Sequence, residues 1–134
     1  MSHTPRVSVV LVNYKGIDDT LTAIEYLSNL PEYPHDLEIV VVDNASGDDS
    51  ITRLKALADR ITVVESRSNL GFAGGCNLGV SKSSGEIVAF LNNDARPDEL
   101  WVSAALETFD SYPRAGAVAS QVLDWEGKTI DYRG

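Results

Sequence analysis

The sequence predicts an α/β fold built on a mostly parallel central sheet, and three observations predict it. Four apolar, β-branched runs begin at residues 7, 37, 61 and 86, at intervals of 30, 24 and 25 residues. That rhythm matches a strand, a crossover helix and the next parallel strand. The runs lack the apolar–polar alternation of a half-exposed strand and read as strands covered on both faces. Helical apolar stripes fill the first two intervals.

Val7 to Asn13 (VSVVLVN) is the first strand. Asp18 to Leu30 follows with a stripe of Leu21, Ile24, Leu27 and Leu30, and Asp18 is placed to act as N-cap. Pro31 and Pro34 end that helix. Leu37 to Val42 is the second strand, and Asn44 to Ser50 is an acidic turn. Ile51, Leu54, Leu57 and Ala58 mark a second helix, and Ile61 to Glu65 a short third strand. Gly71 to Ser81 reads as helical despite its glycines, and Glu86 to Leu91 as the fourth strand. Asp98 to Phe109 is a further helix, with Pro97 just before it. Ala117 to Leu123 and Lys128 to Tyr132 read as a hairpin turning at Asp124, Trp125, Glu126 and Gly127. No repeat or low-complexity tract interrupts the 134 residues, which amount to one domain.

Composition removes several function classes. Lys and Arg number 11 and Asp and Glu 20, a net charge of −9. Broad electrostatic binding to nucleic acid needs the opposite balance, so no nucleic acid partner is expected. An anionic ligand is still compatible, because backbone amides, helix N-termini and a bound metal can hold phosphate. The longest apolar runs fall far short of the roughly 20 residues of a membrane helix. Met1 to Arg6 leads straight into a strand, so no secretory leader is expected. Cys76 is the only cysteine, which excludes an intrachain disulfide and a thiolate zinc site and fits a reducing, cytoplasmic setting. It reads as a packed core thiol. His3 and His35 are too few and too separated to make a metal site with it. Trp101 and Trp125 read as core or apolar-contact residues, with an acceptor contact as the alternative for Trp125. The pairs Asp18–Asp19 and Asp48–Asp49 read as helix N-terminal charges.

In an open parallel sheet, ligands sit at the carboxyl ends of the strands. The residues there are Asn13 and Tyr14; Asp43 and Asn44; Ser66 to Asn69; and Asn92, Asn93 and Asp94. Asn and Asp are good turn formers, but three polar loops on one sheet edge point to a shared site. Two nucleotide fingerprints fail. The first turn, Asn13 to Asp18, holds one glycine where a dinucleotide fold needs G-x-G-x-x-G, although Asp43 stands where a ribose-binding acid would be. Gly74 to Gly79 has the spacing of a phosphate loop, but Val80 follows where lysine is needed.

Val9 to Tyr14 (VVLVNY), Val40 to Gly47 (VVVDNASG), Asn69 to Asn77 (NLGFAGGCN) and Phe90 to Asp94 (FLNND) occur in that order. Together they resemble the nucleotide-sugar-binding half of glycosyltransferase family 2, in its rhamnosyltransferase-like branch, over residues 6 to 134. The resemblance implies a GT-A fold, a three-layer α/β/α sandwich. It implies inverting hexosyl transfer from a UDP- or dTDP-sugar to a hydroxyl of a saccharide or lipid-linked acceptor, in cell-surface polysaccharide biosynthesis. By the same resemblance Asp43 contacts the base, and Asn13 and Tyr14 line its pocket. Asn69, Gly71, Gly74, Gly75 and Asn77 lie beside the sugar nucleotide. Asn92, Asn93 and Asp94 match the family's Asp-x-Asp metal motif, with Asn92 replacing the first acid. Asp94 is then the ligand of a divalent cation, Mg²⁺ or Mn²⁺, and Asn92 and Asn93 contact the donor.

The chemistry suits these residue types. A nucleoside diphosphate leaves with growing negative charge, which a hard cation on oxygen ligands stabilises. Each residue also has a plainer role. Asp94 could form an Asx turn before Pro97, Asp43 could cap the turn that follows it, and the glycines could serve close helix–sheet packing. The family carries its catalytic base in a second half, expected beyond Gly134. Asp124, Glu126 and Asp131 sit in no family base motif. Residues 1–134 therefore read as a single nucleotide-sugar-binding domain, the N-terminal part of a longer glycosyltransferase. It would be cytoplasmic or peripheral at the inner face of the membrane, with self-association expected. The alternatives are a non-catalytic nucleotide-binding or assembly module and, more weakly, an NAD-type oxidoreductase domain.

Overall fold

A computed structural model describes residues 5–31 and 37–132. His3, Pro34 and His35 lie outside the described residues. The chain forms two compact units, Met1–Pro97 and Asp98–Gly134.

The first unit carries the strands β1 (Val7–Asn13), β2 (Leu37–Asp43), β3 (Thr62–Glu65) and β4 (Ile87–Phe90), with helices α1 (Ile17–Ser28), α2 (Ser50–Lys55) and α3 (Gly71–Lys82). The sheet order is β3-β2-β1-β4, and every pairing is parallel. β1 and β2 are central, and Val9, Val10, Leu11 and Val40 to Val42 are at most 1% exposed. That burial on both faces is why the strands read as unbroken apolar runs.

Alternate strand residues face opposite sides. Val10, Val40, Val42 and Val64 form one cluster with Leu78 of α3. Asn13 faces the other side, where it meets Thr20 of α1, and α1 packs on α2. The fold is thus three layers, helix–sheet–helix. The glycines of α3 explain how a small-residue helix holds its place. A Cβ at Gly75 would lie 2.9 Å from Val12 Cγ1, and one at Gly79 would overlap Val10 Cγ1. The bare Cα atoms let α3 lie against β1 and β2.

Registry places the site. Val7 pairs with Leu37 and Asn13 with Asp43, so β1 and β2 end flush. β4 stops opposite Val10, and Leu91 N–H donates to Val10 O at 3.1 Å before the chain leaves the sheet. The connection from β3 to β4 crosses the sheet, so strand order reverses between β1 and β4. Such a reversal opens a crevice at the strand ends.

Several expected boundaries move. α1 begins at Ile17 with Gly16 as N-cap, not at Asp18. Thr20 N–H already reaches Gly16 O at 3.1 Å, and Asp18 instead turns to Arg53, 2.9 Å away. In the second unit, α4 runs Trp101–Ser111 rather than from Asp98. Asp98 Oδ1 accepts Leu100 N–H at 2.9 Å, a turn that precedes the helix. The hairpin is present, but its strands shrink to β5 (Val122–Leu123) and β6 (Ile130–Tyr132). Residues between them serve the turn: Asp124 accepts N–H groups of Lys128 and Thr129 at 3.0 and 3.2 Å, and Gly127 has φ +71°. No helix among the described residues is long and apolar enough to cross a membrane.

The opposite edge of the sheet has its own fastening. Glu38 Oε2 accepts the Ser8 hydroxyl, Ser84 N–H at 2.8 Å and the Ser84 hydroxyl at 3.1 Å, while Gly85 N–H donates to Ser8 Oγ at 2.8 Å. β1, β2 and the turn before β4 are tied at one point. Burial acts to raise the Glu38 pKa, but the Ser8 and Ser84 hydrogen bonds, helped by the Arg6 charge, outweigh it and hold the carboxyl below its ordinary value. A folded pKa below the unfolded one adds stability above the unfolded value that fades as pH falls through the folded one. Glu38→Gln should therefore destabilise the protein at about pH 7, and its gap to wild type should narrow as pH falls through the lowered pKa of the folded state. Urea unfolding over a series from neutral to acid pH checks this; a gap that does not narrow would show that the ionised carboxylate is not what matters.

Candidate functional site

At the carboxyl edge the flush register sets Asn13 beside Asp43, and both are buried. Asn13 Nδ2 donates to Asp43 Oδ1 at 2.9 Å and approaches Ser46 Oγ at 3.3 Å. Ser46 hydroxyl donates to the same Oδ1 at 2.7 Å, and Lys15 N–H donates to Ser46 Oγ at 2.9 Å. On the other side, Thr20 Oγ1 donates to Asn13 Oδ1 at 2.7 Å. Asn93 Nδ2 donates to Thr20 Oγ1 at 3.1 Å and reaches Gly16 O at 3.4 Å. One polar chain therefore joins the loops after β1, β2 and β4.

Asp43 is not saturated by it. Oδ1 accepts two good hydrogen bonds, but among the described residues Oδ2 has only Ser46 N–H at 3.4 Å, longer than an ordinary N–H···O contact. The carboxylate is held by one oxygen and keeps acceptor capacity on the other. Asp43 does fasten the turn after β2, as its plainer reading held, and this leaves Oδ2 with capacity for a donor. The loops that carry these bonds are strained: Lys15 has φ +53° and Ala45 φ +61°. Left-handed backbone at non-glycine residues concentrates at functional sites.

A second cluster forms on the α3 side. Asn44 is 2% exposed, and its Oδ1 accepts Leu70 N–H at 2.9 Å. Its Nδ2 donates to Gly71 O at 3.0 Å and Asn69 Oδ1 at 3.2 Å, and Gly71 N–H donates to Asn69 Oδ1 at 2.9 Å. Asn44 thus fixes the loop that leads into α3. Gly71 has φ +72°, which only glycine adopts easily.

The structure accordingly brings Asn13, Asp43 and Asn93 into one network, and Asn69 and Gly71 into the other. Tyr14 is exposed at the rim, with Lys15 Nζ 5.3 Å from its ring centroid. Gly75 packs on Val12, and a Cβ on Gly74 would lie 2.7 Å from Leu70 Cβ, so both serve packing contacts. Asn77 is exposed on α3. Asn92 and Asp94 are exposed at the loop after β4 and make no hydrogen bond from their side chains among the described residues. Asn93 between them is half-buried and turned inward. Among the described residues no cluster of three His, Cys, Asp or Glu could hold a metal on its own.

Asn44 is among the strand-end residues that the sequence points to, though without an assigned role; Thr20 and Ser46 are not singled out by it. Thr20 had a signal: it falls at helical spacing between Ile17 and Ile24 on the buried face of α1, where a polar side chain needs a partner. Cys76 is buried, and that burial pushes its thiol pKa up. Trp101 is half-buried and its Nε1–H donates to Ser120 Oγ at 2.8 Å. Trp125, expected in the core or an apolar contact, is 72% exposed. Asp124 is committed to its own turn. The backbone hydrogen bond from Lys128 leads the interactions that hold its pKa below the ordinary value, which makes it a weak base.

The family model described as Glycosyl transferase family 2 matches residues 8–133. An uncharacterized glycosyltransferase of Nostoc sp. is 33% identical over 94% of this chain and 40% of its own length. The low-salt glycan biosynthesis hexosyltransferase Agl10 of Haloferax volcanii is 33% identical over 93% of this chain and 39% of its length. The chain thus spans about two fifths of these relatives. Among solved structures, the mannosyltransferase PcManGT of Pyrobaculum calidifontis, in complex with GDP-Man and Mn²⁺, superposes with a TM-score of 0.73 at 25% identity, over 81% of this chain and 33% of that one.

Asn44→Ala should release the loop into α3. Removing a buried side chain with three hydrogen bonds costs on the order of 1–3 kcal/mol, and the Leu70 amide should exchange faster with solvent. A Leu70 amide that exchanges at the wild-type rate would show that Asn44 does not anchor the loop.

Proposed function

This chain belongs to glycosyltransferase family 2, and we propose that it supplies the donor-binding half of an inverting transferase. The donor is a UDP- or dTDP-linked sugar, and the acceptor is a hydroxyl of a saccharide or lipid-linked glycan. The observation that carries this reading is Asp43: a buried carboxylate, fixed through Oδ1 and under-used at Oδ2, beside the crevice where strand order reverses. Such an oxygen can accept the ring N–H that uracil and thymine share. We place hexosyl transfer in the rhamnosyltransferase-like branch, in cell-surface polysaccharide synthesis, at the inner face of the membrane. Residues 1–134 act as one nucleotide-sugar-binding domain, and self-association is part of the proposal.

Asp94 and Asn92 offer one carboxylate and one amide. That set fits a hard cation only when phosphate oxygens complete the shell, which is how Mg²⁺ is commonly held. Asp94 would hold it, and when bound it would supply positive charge against the leaving diphosphate. Asn13, Asp43 and Ser46 hold the base end in place. Inverting transfer also needs a general base within hydrogen-bond reach of the acceptor hydroxyl. Asp124 is engaged by its own turn and Glu126 pairs with Lys128 at 3.0 Å. That engagement favours, as a second reading, a nucleotide-binding module without transfer by this chain itself.

Asp43→Asn keeps the size and loses a charge-assisted hydrogen bond of about 1.5–3 kcal/mol, so UDP affinity should fall roughly 10- to 100-fold. Equal binding by wild type and Asp43→Asn in calorimetry removes Asp43 from the site. Asp94→Ala should abolish the gain in UDP affinity that Mg²⁺ or Mn²⁺ gives and leave metal-free binding close to wild type. A wild-type protein whose UDP affinity ignores both ions overturns the cation assignment.

A further inference from the structure

We propose that Thr20 is a positioning residue that sets the base selectivity of this site. It would act through Asn13 on Asp43, without touching the ligand. The inference rests on Asp43 as the base-reading acid. It concerns why that acid keeps acceptor capacity on one oxygen, and for which bases.

The hydrogen bonds in the polar chain have a direction. Asp43 accepts only, so Asn13 must turn Nδ2 toward it, and does so at 2.9 Å. Asn13 Oδ1 then faces away, into a fully buried setting, and needs a donor. The Thr20 hydroxyl supplies it at 2.7 Å. That hydroxyl has one hydrogen and a second possible acceptor, Gly16 O at 3.1 Å. The shorter contact gives that hydrogen to Asn13, since Gly16 O already accepts Thr20 N–H at 3.1 Å, and Asn93 Nδ2 donates to the hydroxyl oxygen at 3.1 Å. The order Asn93 to Thr20 to Asn13 to Asp43 is a relay of donors that ends on Oδ1.

Without the Thr20 hydroxyl, Asn13 Oδ1 is a buried acceptor with no donor. Turning the amide over would satisfy it no better and would set an oxygen against Asp43 Oδ1. Asp43 Oδ1 would then keep the Ser46 hydroxyl at 2.7 Å as its one strong donor, and with one anchor in place of two Oδ2 would be less firmly aimed. A base with a ring N–H, such as uracil, gains from an aimed acceptor. Cytosine presents a ring nitrogen acceptor at the same place and gains nothing. Selectivity between the two therefore reports the relay, whereas a merely structural role for Thr20 would lower stability and leave the ratio alone.

The test is the ratio of UDP to CDP affinity by calorimetry. Wild type should favour UDP by about tenfold or more, the worth of one charge-assisted hydrogen bond. Thr20→Val keeps the shape and removes the hydroxyl, and should cut the ratio to about threefold or less. Thr20→Ser restores the hydroxyl and should restore the ratio. Asn93→Asp cannot donate to Thr20 and competes for its hydrogen, so it should lower the ratio from a half-buried loop position if Thr20→Val does not fold. A ratio that survives in either folded variant overturns the proposal. Wild type that binds UDP no better than CDP overturns the reading of Asp43 itself, and the relay's role with it, which is a distinct result.

Discussion

The flush ending of β1 and β2 is the constraint on which the rest of the site depends. Asn13 and Asp43 are 30 residues apart in sequence and become register partners on adjacent parallel strands. A slip of one residue would turn one of the two side chains to the opposite face. The register is held from the other edge as well, where Glu38, Ser8, Ser84 and Gly85 tie β1, β2 and the approach to β4. A network at the far edge of the sheet therefore helps align Asn13 with Asp43.

The two faces of the sheet divide the work. Odd-numbered Asn13 and Asp43 point to the α1 side and join Thr20 in one polar chain. Even-numbered Asn44 points to the α3 side and fixes the loop that precedes that helix. Consecutive residues of one strand end thus serve two loops, because a strand alternates its side chains. The glycines of α3 belong to this division. Gly75 and Gly79 bring the helix onto Val12 and Val10, and the loop from Asn69 to Gly71 arrives at Asn44 as a result.

The proposed nucleotide diphosphate would meet a chain of net charge −9, but that charge is not where the proposal has the ligand read. Asp43 is buried and would offer an acceptor to a base N–H rather than a field to phosphate. The exposed carboxylate of the loop after β4, Asp94, is the one that a cation would convert from repulsion to attraction. The neutral Asn92 beside it lowers the charge that such a cation would meet, so phosphate oxygens would carry a larger share of the shell.

The sequence by itself determined the order of elements, the parallel sheet and the set of loops that share its carboxyl edge. Each of these follows from local signals: unbroken apolar runs, helical stripes and their spacing. It also held the residues of the family motifs, since identity is a property of the chain alone. Boundaries moved where a backbone group found a different partner, as when Gly16 capped α1 in place of Asp18. What only the tertiary structure decided is which polar side chains meet. Thr20 is an ordinary helical threonine until α1 packs on the sheet and sets it between Asn13 and Asn93. Ser46 is one polar residue of a turn until its hydroxyl closes on Asp43 and receives Lys15 N–H. Asn93 turns inward while Asn92 and Asp94 stay exposed. These pairings join residues from 3 to 73 positions apart. Only chain packing brings the distant ones together, and local propensity carries no record of it.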